Sequence, residues 1–260
     1  MKFPAKSLKR ARKKWLRGLR QQGILSKKLY SKSEAKGKVL TVSRRLELLQ
    51  DFTIKSKAKK AMRLVRHELL QELLEPPLYF YGHKNCNAFR FFSNFFLTDI
   101  VVNKDELMSM CRLALPHVDL RELDTTENVW CFNSSEQFFM FFKALCMKDG
   151  VSAMKIYNAA TPATAKKLGR KVTPFHGELW DSCGPACMLQ VVLAKARSCS
   201  SMRTALLATG ERVLAEASAS DCKWGIGLSR AKAGTGACWR GINLLGEALV
   251  RARDILRKSS

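Results

Sequence analysis

No run of 18 apolar residues occurs in this 260-residue chain, so no transmembrane helix is expected. No hydrophobic core follows the N-terminal charges, which argues against a secretory signal. Acidic residues are absent before Glu34, which leaves a mitochondrial presequence open, but Lys outnumbers Arg there, against the usual composition. The nine cysteines are odd in number and contain no Cys-x-x-C pair. A disulfide framework needs an even set, and a zinc site needs ligands in paired clusters. Cys183 and Cys187 stand four apart with His176 upstream, a zinc pattern without its second half. The cysteines therefore read as reduced thiols of an intracellular, reducing compartment, cytoplasmic or nuclear. No internal repeat is present.

Positive charge is abundant but uneven. Residues 1–75 hold 22 Lys and Arg against 6 Asp and Glu, and residues 76–260 hold 24 against 16. Most of the net charge of +24 thus sits in under a third of the chain. Residues 1–57 read as a solvated basic arm, because isolated apolar residues such as Trp15 cannot bury enough surface to order it. Such an arm suits counterion release on nucleic acid or an import signal, or serves only to solvate. Residues 58–75 carry Ala58, Met62, Val65, Leu69 and Leu73 at helical spacing, forming an amphipathic helix or linker that ends at Pro76-Pro77.

Residues 76–258 read as one α+β, predominantly helical domain with a small β element. Leu78 to Tyr81 and Phe95 to Val102 are aromatic and β-branched, as strands are. Residues 103–129 are more polar and form an insertion with a short helix near Glu106 to Leu113. Helices follow over Ser152 to Ala159, from Thr161-Pro162 to Gly169 (N-cap, proline at N1 and glycine at C′), over Trp180 to Ala196, and from Met202 to a stop at Gly210. Glu216 to Gly227 is a small-residue loop, and Leu244 to Leu256 is an amphipathic helix with Asn243 as its N-cap.

One segment concentrates chemistry: Asn133-Ser134-Ser135-Glu136-Gln137-Phe138-Phe139-Met140-Phe141-Phe142-Lys143. Ser134 and Gln137 form an S-x-x-Q capping box, which starts a helix with almost no polar face. Glu136 then lies in the first turn, where the helix dipole favours a negative charge. A carboxylate at the mouth of a buried helix is costly unless it is used or paired. The simpler reading is that it only answers the dipole.

Further segments stand out with it. They are Phe92-Ser93-Asn94-Phe95, Lys167-Leu168-Gly169-Arg170, Trp180, Glu216 through Asp221 to Trp224-Gly225, and Gly241-Ile242-Asn243-Leu244-Leu245-Gly246. In this order they resemble the NADAR, or YbiA-like, family over about residues 79–256. The resemblance implies an N-glycosidase-type hydrolase that cleaves between a ribose anomeric carbon and a base-like nitrogen. Two substrate classes are implied: ribosylaminopyrimidine phosphates of the riboflavin pathway, or ADP-ribose on guanine bases of nucleic acid. A non-catalytic protein that binds ADP-ribose or nucleotide and nucleic acid is the third reading.

Such cleavage develops oxocarbenium-like charge on the sugar, which a fixed carboxylate stabilises while a second group handles water or the leaving nitrogen. Glu136 suits the first role, Asp221 the second, and Trp224 the stacking. On the same resemblance Ser93, Asn94 and Phe95 would meet ribose hydroxyls or a base edge. Lys143 and Arg170 would meet a phosphate, and Trp180 would stack. Gly225, Asn243 and Gly246 complete the substrate-binding set. Each has a structural alternative: Trp180 also suits a core, Gly225 and Gly227 also suit positive φ, and Asn243 also suits a cap. No metal motif accompanies the set, so neither metal nor cofactor is expected for this activity. Gln137 stands where the family often has His, and the stretch between Asn94 and Glu136 is longer than in compact members. The expected partners are a ribosylated or ADP-ribosylated molecule and, through residues 1–60, nucleic acid; no membrane is expected.

Overall fold

The computed structural model describes residues 76–83, 89–118 and 128–259. The expected arm (1–57), the expected amphipathic helix (58–75) and a third of the expected insertion (119–127) lie outside the described residues. Within them the protein is predominantly helical with two small two-stranded sheets, the α+β make-up expected. The elements run β1 (Leu78–Phe80), β2 (Ile100–Asn103), α1 (Lys104–Ala114), β3 (Val129–Phe132), α2 (Ser135–Cys146), α3 (Gly150–Tyr157), α4 (Pro162–Gly169), α5 (Gly177–Ser198), α6 (Ser200–Leu207), β4 (Leu214–Glu216), α7 (Arg230–Gly234) and α8 (Leu244–Lys258). They fall into two compact units, one of Phe80–Gly210 with the chain from Leu244 onward, and one of Glu211–Asn243 with the chain up to Tyr79.

In the larger unit α2 packs against α3, α4 and α5, while α8 packs against α5 and α6. Every residue of α2 is buried except Lys143, as its lack of a polar face requires. The two-stranded β2–β3 sheet supplies one wall of this core. Its antiparallel register pairs Ile100 with Phe132 and Val102 with Trp130, and all four point inward. Phe132 stacks on Phe138 of α2 at a centroid distance of 3.9 Å, and Trp130 lies 5.4 Å from Phe141. β3 escaped the sequence reading because Val129-Trp130-Cys131-Phe132 is apolar on both faces, so no polar alternation announces it. The expected strand from Phe95 shrinks to Ile100–Asn103, because Ser93 to Phe95 forms a turn and Phe96 to Asp99 is irregular.

Two sequence details have a different cause from the one expected. Gly169 ends α4 without a positive φ, and a Cβ there would collide with the Met140 side chain of α2. The glycine permits two helices to approach closely. Gln137 does not complete the capping box. Ser134 Oγ accepts from the Gln137 N–H at 3.2 Å, but Gln137 Oε1 accepts from the N–H of Asn133, one residue before the cap, at 2.7 Å. Its Nε2 lies within 3.1 Å of the carbonyls of Ile156, Tyr157 and Ala159. Gln137 thus ties the start of α2 to the end of α3, where carbonyls lack helical partners.

Lys195 on α5 is 1% exposed and donates to the Ser93 carbonyl at 2.9 Å, with its ammonium 5.6 Å from the Phe96 ring centre. Burial pushes its pKa from 10.5 down to about 7, against a small opposing influence from Cys199.

The smaller unit has its own core of Ala215, Ala217, Ile226, Leu228 and Ala233, covered by Tyr79, Ala237 and Trp239. β1 pairs with β4, and the Leu78 N–H donates to the Val213 carbonyl at 2.8 Å.

Two outcomes follow from these contacts. Gly169→Ala gains at most about 1 kcal/mol of helix propensity but overpacks against Met140 at about 1–3 kcal/mol. A net loss of about 0–2 kcal/mol in denaturant unfolding is expected, and a stabilised variant would contradict the close approach. For Lys195, the unfolded amine stays protonated up to about 10.5 and the folded one only up to about 7. Folding therefore releases a proton between those values, so stability rises with pH across that window and is lost as pH falls through 7. Lys195→Met should flatten this slope, and an unchanged slope in pH-dependent unfolding would show that Lys195 does not titrate this way.

Candidate active site

The candidate site in the larger unit is built on the start of α2. Its capping residue Ser134 also donates to Asn133 Oδ1 at 2.9 Å, and Asn133 Nδ2 donates to the Ala159 carbonyl at 2.9 Å. The first-turn amide of Glu136 donates to the Asn94 carbonyl at 2.9 Å. The Phe92-Ser93-Asn94-Phe95 turn is thereby attached to the helix start. The turn closes on itself, with the Phe95 N–H donating to Ser93 Oγ at 3.3 Å, and Lys195 holds its Ser93 carbonyl from below. Its main chain thus positions Glu136, which sequence reasoning had not assigned to it.

Glu136 is 5% exposed. Lys166 of α4 places Nζ 3.8 Å from Glu136 Oε1 and 5.2 Å from the centre of the Phe95 ring. The ring of His83 also stacks on Phe95, with centroids 5.9 Å apart. The result is a carboxylate, a cation and an aromatic ring on one edge of the unit. The Lys166 side chain is 40% exposed, so the ion pair contributes only about 0–1 kcal/mol to stability. It positions charge more than it stabilises the fold.

The other nominated residues of this unit divide differently from expectation. Lys143 donates to the Gly169 carbonyl at 2.8 Å and lies 4.3 Å above the Phe175 ring, a cation at the C-terminal end of α4. Arg170 is exposed and follows Lys166 by four residues, hence on the same side of α4. Trp180 is 6% exposed and lies 5.0 Å from Phe139, which makes it a core residue. Gly246 is buried within α8. Lys166 and Lys195 went unnoticed in the sequence. Lys166 looks like its neighbour Lys167, and only the phase of α4 distinguishes them. Lys195 sits in Leu-Ala-Lys-Ala-Arg, which reads as an ordinary amphipathic surface. A shallow surface depression of about 730 Å³, lined by Gly150, Met154, Asn158 and Leu168 among others, includes none of these groups.

The smaller unit holds the Asp221 loop. Asp221 Oδ1 accepts from the N–H groups of Lys223 and Trp224 at 2.9 and 2.8 Å, a side-chain turn that fixes the backbone before Trp224. Asp221 and Trp224 are both half-buried. Gly225 has no room for a Cβ, which would lie 2.9 Å from the Glu216 carbonyl oxygen and 3.0 Å from that of Asp221. The positive φ expected as an alternative there belongs to Gly227. The loop is laced to Arg240–Asn243 by main-chain bonds, among them Ile242 N–H to Cys222 at 2.9 Å and Asn243 N–H to Gly225 at 3.2 Å. The N-cap expected of Asn243 is not what its side chain does. Oδ1 accepts from the Glu216 N–H at 3.1 Å and Nδ2 donates to the Leu214 carbonyl at 2.8 Å, so both ends are used on β4. With φ at 60° it also makes the left-handed corner before α8.

The NADAR domain matches residues 79–257. Protein irg-1 of Caenorhabditis elegans is 36% identical over 141 residues, 53% of this chain and 66% of that protein. N-glycosidase R617 of Acanthamoeba polyphaga mimivirus is 32% identical over 139 residues, 53% of this chain and 82% of that one. N-glycosidase Npun_R5314 of Nostoc punctiforme is 33% identical over 122 residues, 47% and 72% of the two chains. Among solved structures, the NMR structure of the E. coli protein YbiA aligns with a TM-score of 0.49 at 19% identity, covering 71% of this chain and 88% of that one. With most of its length matched by that one domain, the chain belongs to the NADAR family.

Proposed function

We propose that this protein is an N-glycosidase that hydrolyses the bond between a ribose anomeric carbon and a base-like nitrogen. The observation that carries the proposal is Glu136: a buried carboxylate at a helix start, its amide bound to the Asn94 carbonyl and a lysine 3.8 Å from its oxygen. Support comes from two family relatives named N-glycosidases. As the C–N bond breaks, its electron pair leaves with the nitrogen and the sugar ring becomes cationic. Glu136 is the group that stabilises that cation. Water then adds to the anomeric carbon and loses a proton, and the departing nitrogen gains one. Asp221 is assigned the proton handling and Trp224 the ring surface for the base, both on the strength of their motif. Phe95 and Lys166 border Glu136 and suit a sugar face and a phosphate oxygen. Lys166 therefore takes the phosphate role that the sequence reading gave to Lys143 and Arg170.

The excess of basic residues over 1–60 favours ADP-ribosylated guanine in nucleic acid as a second reading of the substrate. A small phosphorylated pyrimidine riboside gains nothing from such an arm, while a polyanion releases counterions on it.

Incubation with a ribosylaminopyrimidine phosphate, with NAD or ADP-ribose, and with ADP-ribosylated guanine in DNA or RNA, followed by mass spectrometry, tests the class. Free base or amine should appear from at least one, and silence across all three would overturn the proposal. Glu136→Gln should lower kcat by at least about 100-fold with circular dichroism unchanged. Base release at the wild-type rate would remove Glu136 from the chemistry. Deleting residues 1–60 should leave hydrolysis of a small substrate intact while weakening nucleic-acid binding and its salt dependence. Equal binding by both forms at low and moderate salt would reject the arm's role.

A further inference from the structure

Away from Glu136, the opposite end of α2 meets two other segments in a cluster of sulfur and imidazole. Cys146 is the last residue of α2, Cys183 lies on α5, and His117 follows α1. Their ligand atoms all fall within 4.8 Å of one another. His117 Nε2 is 3.8 Å from Cys146 Sγ, and Nδ1 is 4.0 Å from Cys183 Sγ. The three residues are 29, 37 and 66 positions apart in pairs, so no sequence motif could have revealed them together. The Cys183/Cys187/His176 fragment of the sequence does not contain His117. His176 instead donates its main-chain N–H to Met147 Sδ at 3.2 Å.

We propose that His117, Cys146 and Cys183 form a structural site for a thiophilic d10 cation of the zinc class. Zinc bonds of about 2.3 Å to sulfur and about 2.0–2.1 Å to nitrogen place tetrahedral ligand atoms roughly 3.4–3.8 Å apart. The observed spacing needs only a small side-chain contraction to reach that. Two thiolates and one imidazole match borderline-soft cations and not magnesium or calcium, which take oxygen ligands. Cys146 and Cys183 are buried while His117 is exposed, which gives the ion an entry from solvent and leaves a fourth position for water. Ser182 Oγ lies 3.6 Å from Cys183 Sγ but spends its hydroxyl proton on the Leu179 carbonyl at 2.7 Å, so it borders the sulfur without donating to it. Binding exchanges the two thiol protons for the cation and releases them to solvent.

The ion joins three separate segments of the larger unit. Cys146 lies ten residues along α2 from Glu136, about 15 Å at the helical rise of about 1.5 Å per residue. The site therefore braces the helix from its far end and takes no part in the glycosidic chemistry.

The test uses the full-length chain without a polyhistidine tag, kept reduced by a phosphine. Cobalt(II) is titrated in and then displaced by zinc. One equivalent should bind with thiolate-to-cobalt charge-transfer absorption. His117→Ala and Cys183→Ser should each lower zinc affinity at least tenfold, given that loss of merely supporting residues costs about 10–100-fold. Cys131→Ser, an exposed thiol on β3, should change nothing. A second readout in the wild-type protein guards against misfolded variants. Zinc should protect Cys146 and Cys183, but not Cys131 or Cys238, from alkylation mapped by mass spectrometry. Absence of the thiolate band, binding indifferent to both substitutions, or unprotected Cys146 and Cys183 would each overturn the site.

Discussion

A helix buried on all sides cannot leave its opening amides to water, and α2 is such a helix. Its cap Ser134 serves one amide and the Asn94 carbonyl serves that of Glu136. Enclosing the aromatic body of the helix requires both partners, since an orphaned buried amide costs about 1–3 kcal/mol. The Ser93–Phe95 turn, the end of α3 and the buried amine of Lys195 are all arranged around that requirement. The carboxylate of Glu136 is held still as a by-product, and so is the geometry that any chemistry at that edge would use.

The same economy explains the glycine and the two lysines of this region. α4 comes close enough to α2 to exclude a Cβ at Gly169. That approach brings Lys166 to Glu136 at one level and Lys143 to the end of α4 at another. One lysine faces the carboxylate and the other neutralises a helix terminus. In a sequence they are two charges of equal standing.

How much of this was legible depended on the range of the interaction. Caps and stops written into neighbouring residues, such as Ser134, Thr161-Pro162 and Gly210, were read correctly because their partners lie within a few positions. The helical make-up followed from periodicity, and the family from ordered motifs. What failed was everything whose partner lies far along the chain. Gln137 matched a local motif but bonds across to α3. Asn243 looked like a cap but spends its amide on β4. Trp180 carried no mark separating a core indole from a stacking one, and β3 carried no alternation. The Asp221 turn was recognisable because Asp, Trp and Gly sit within five residues.

Lys195 has one more implication. An amine that burial leaves about half uncharged near neutrality has a lone pair available in that fraction and is nucleophilic there, yet no solute reaches it while α5 stays packed. An acylating reagent would therefore modify it only during transient opening of that part of the larger unit. The rate of that modification is a clock for local breathing around the turn that carries Asn94, installed at one position by the fold itself.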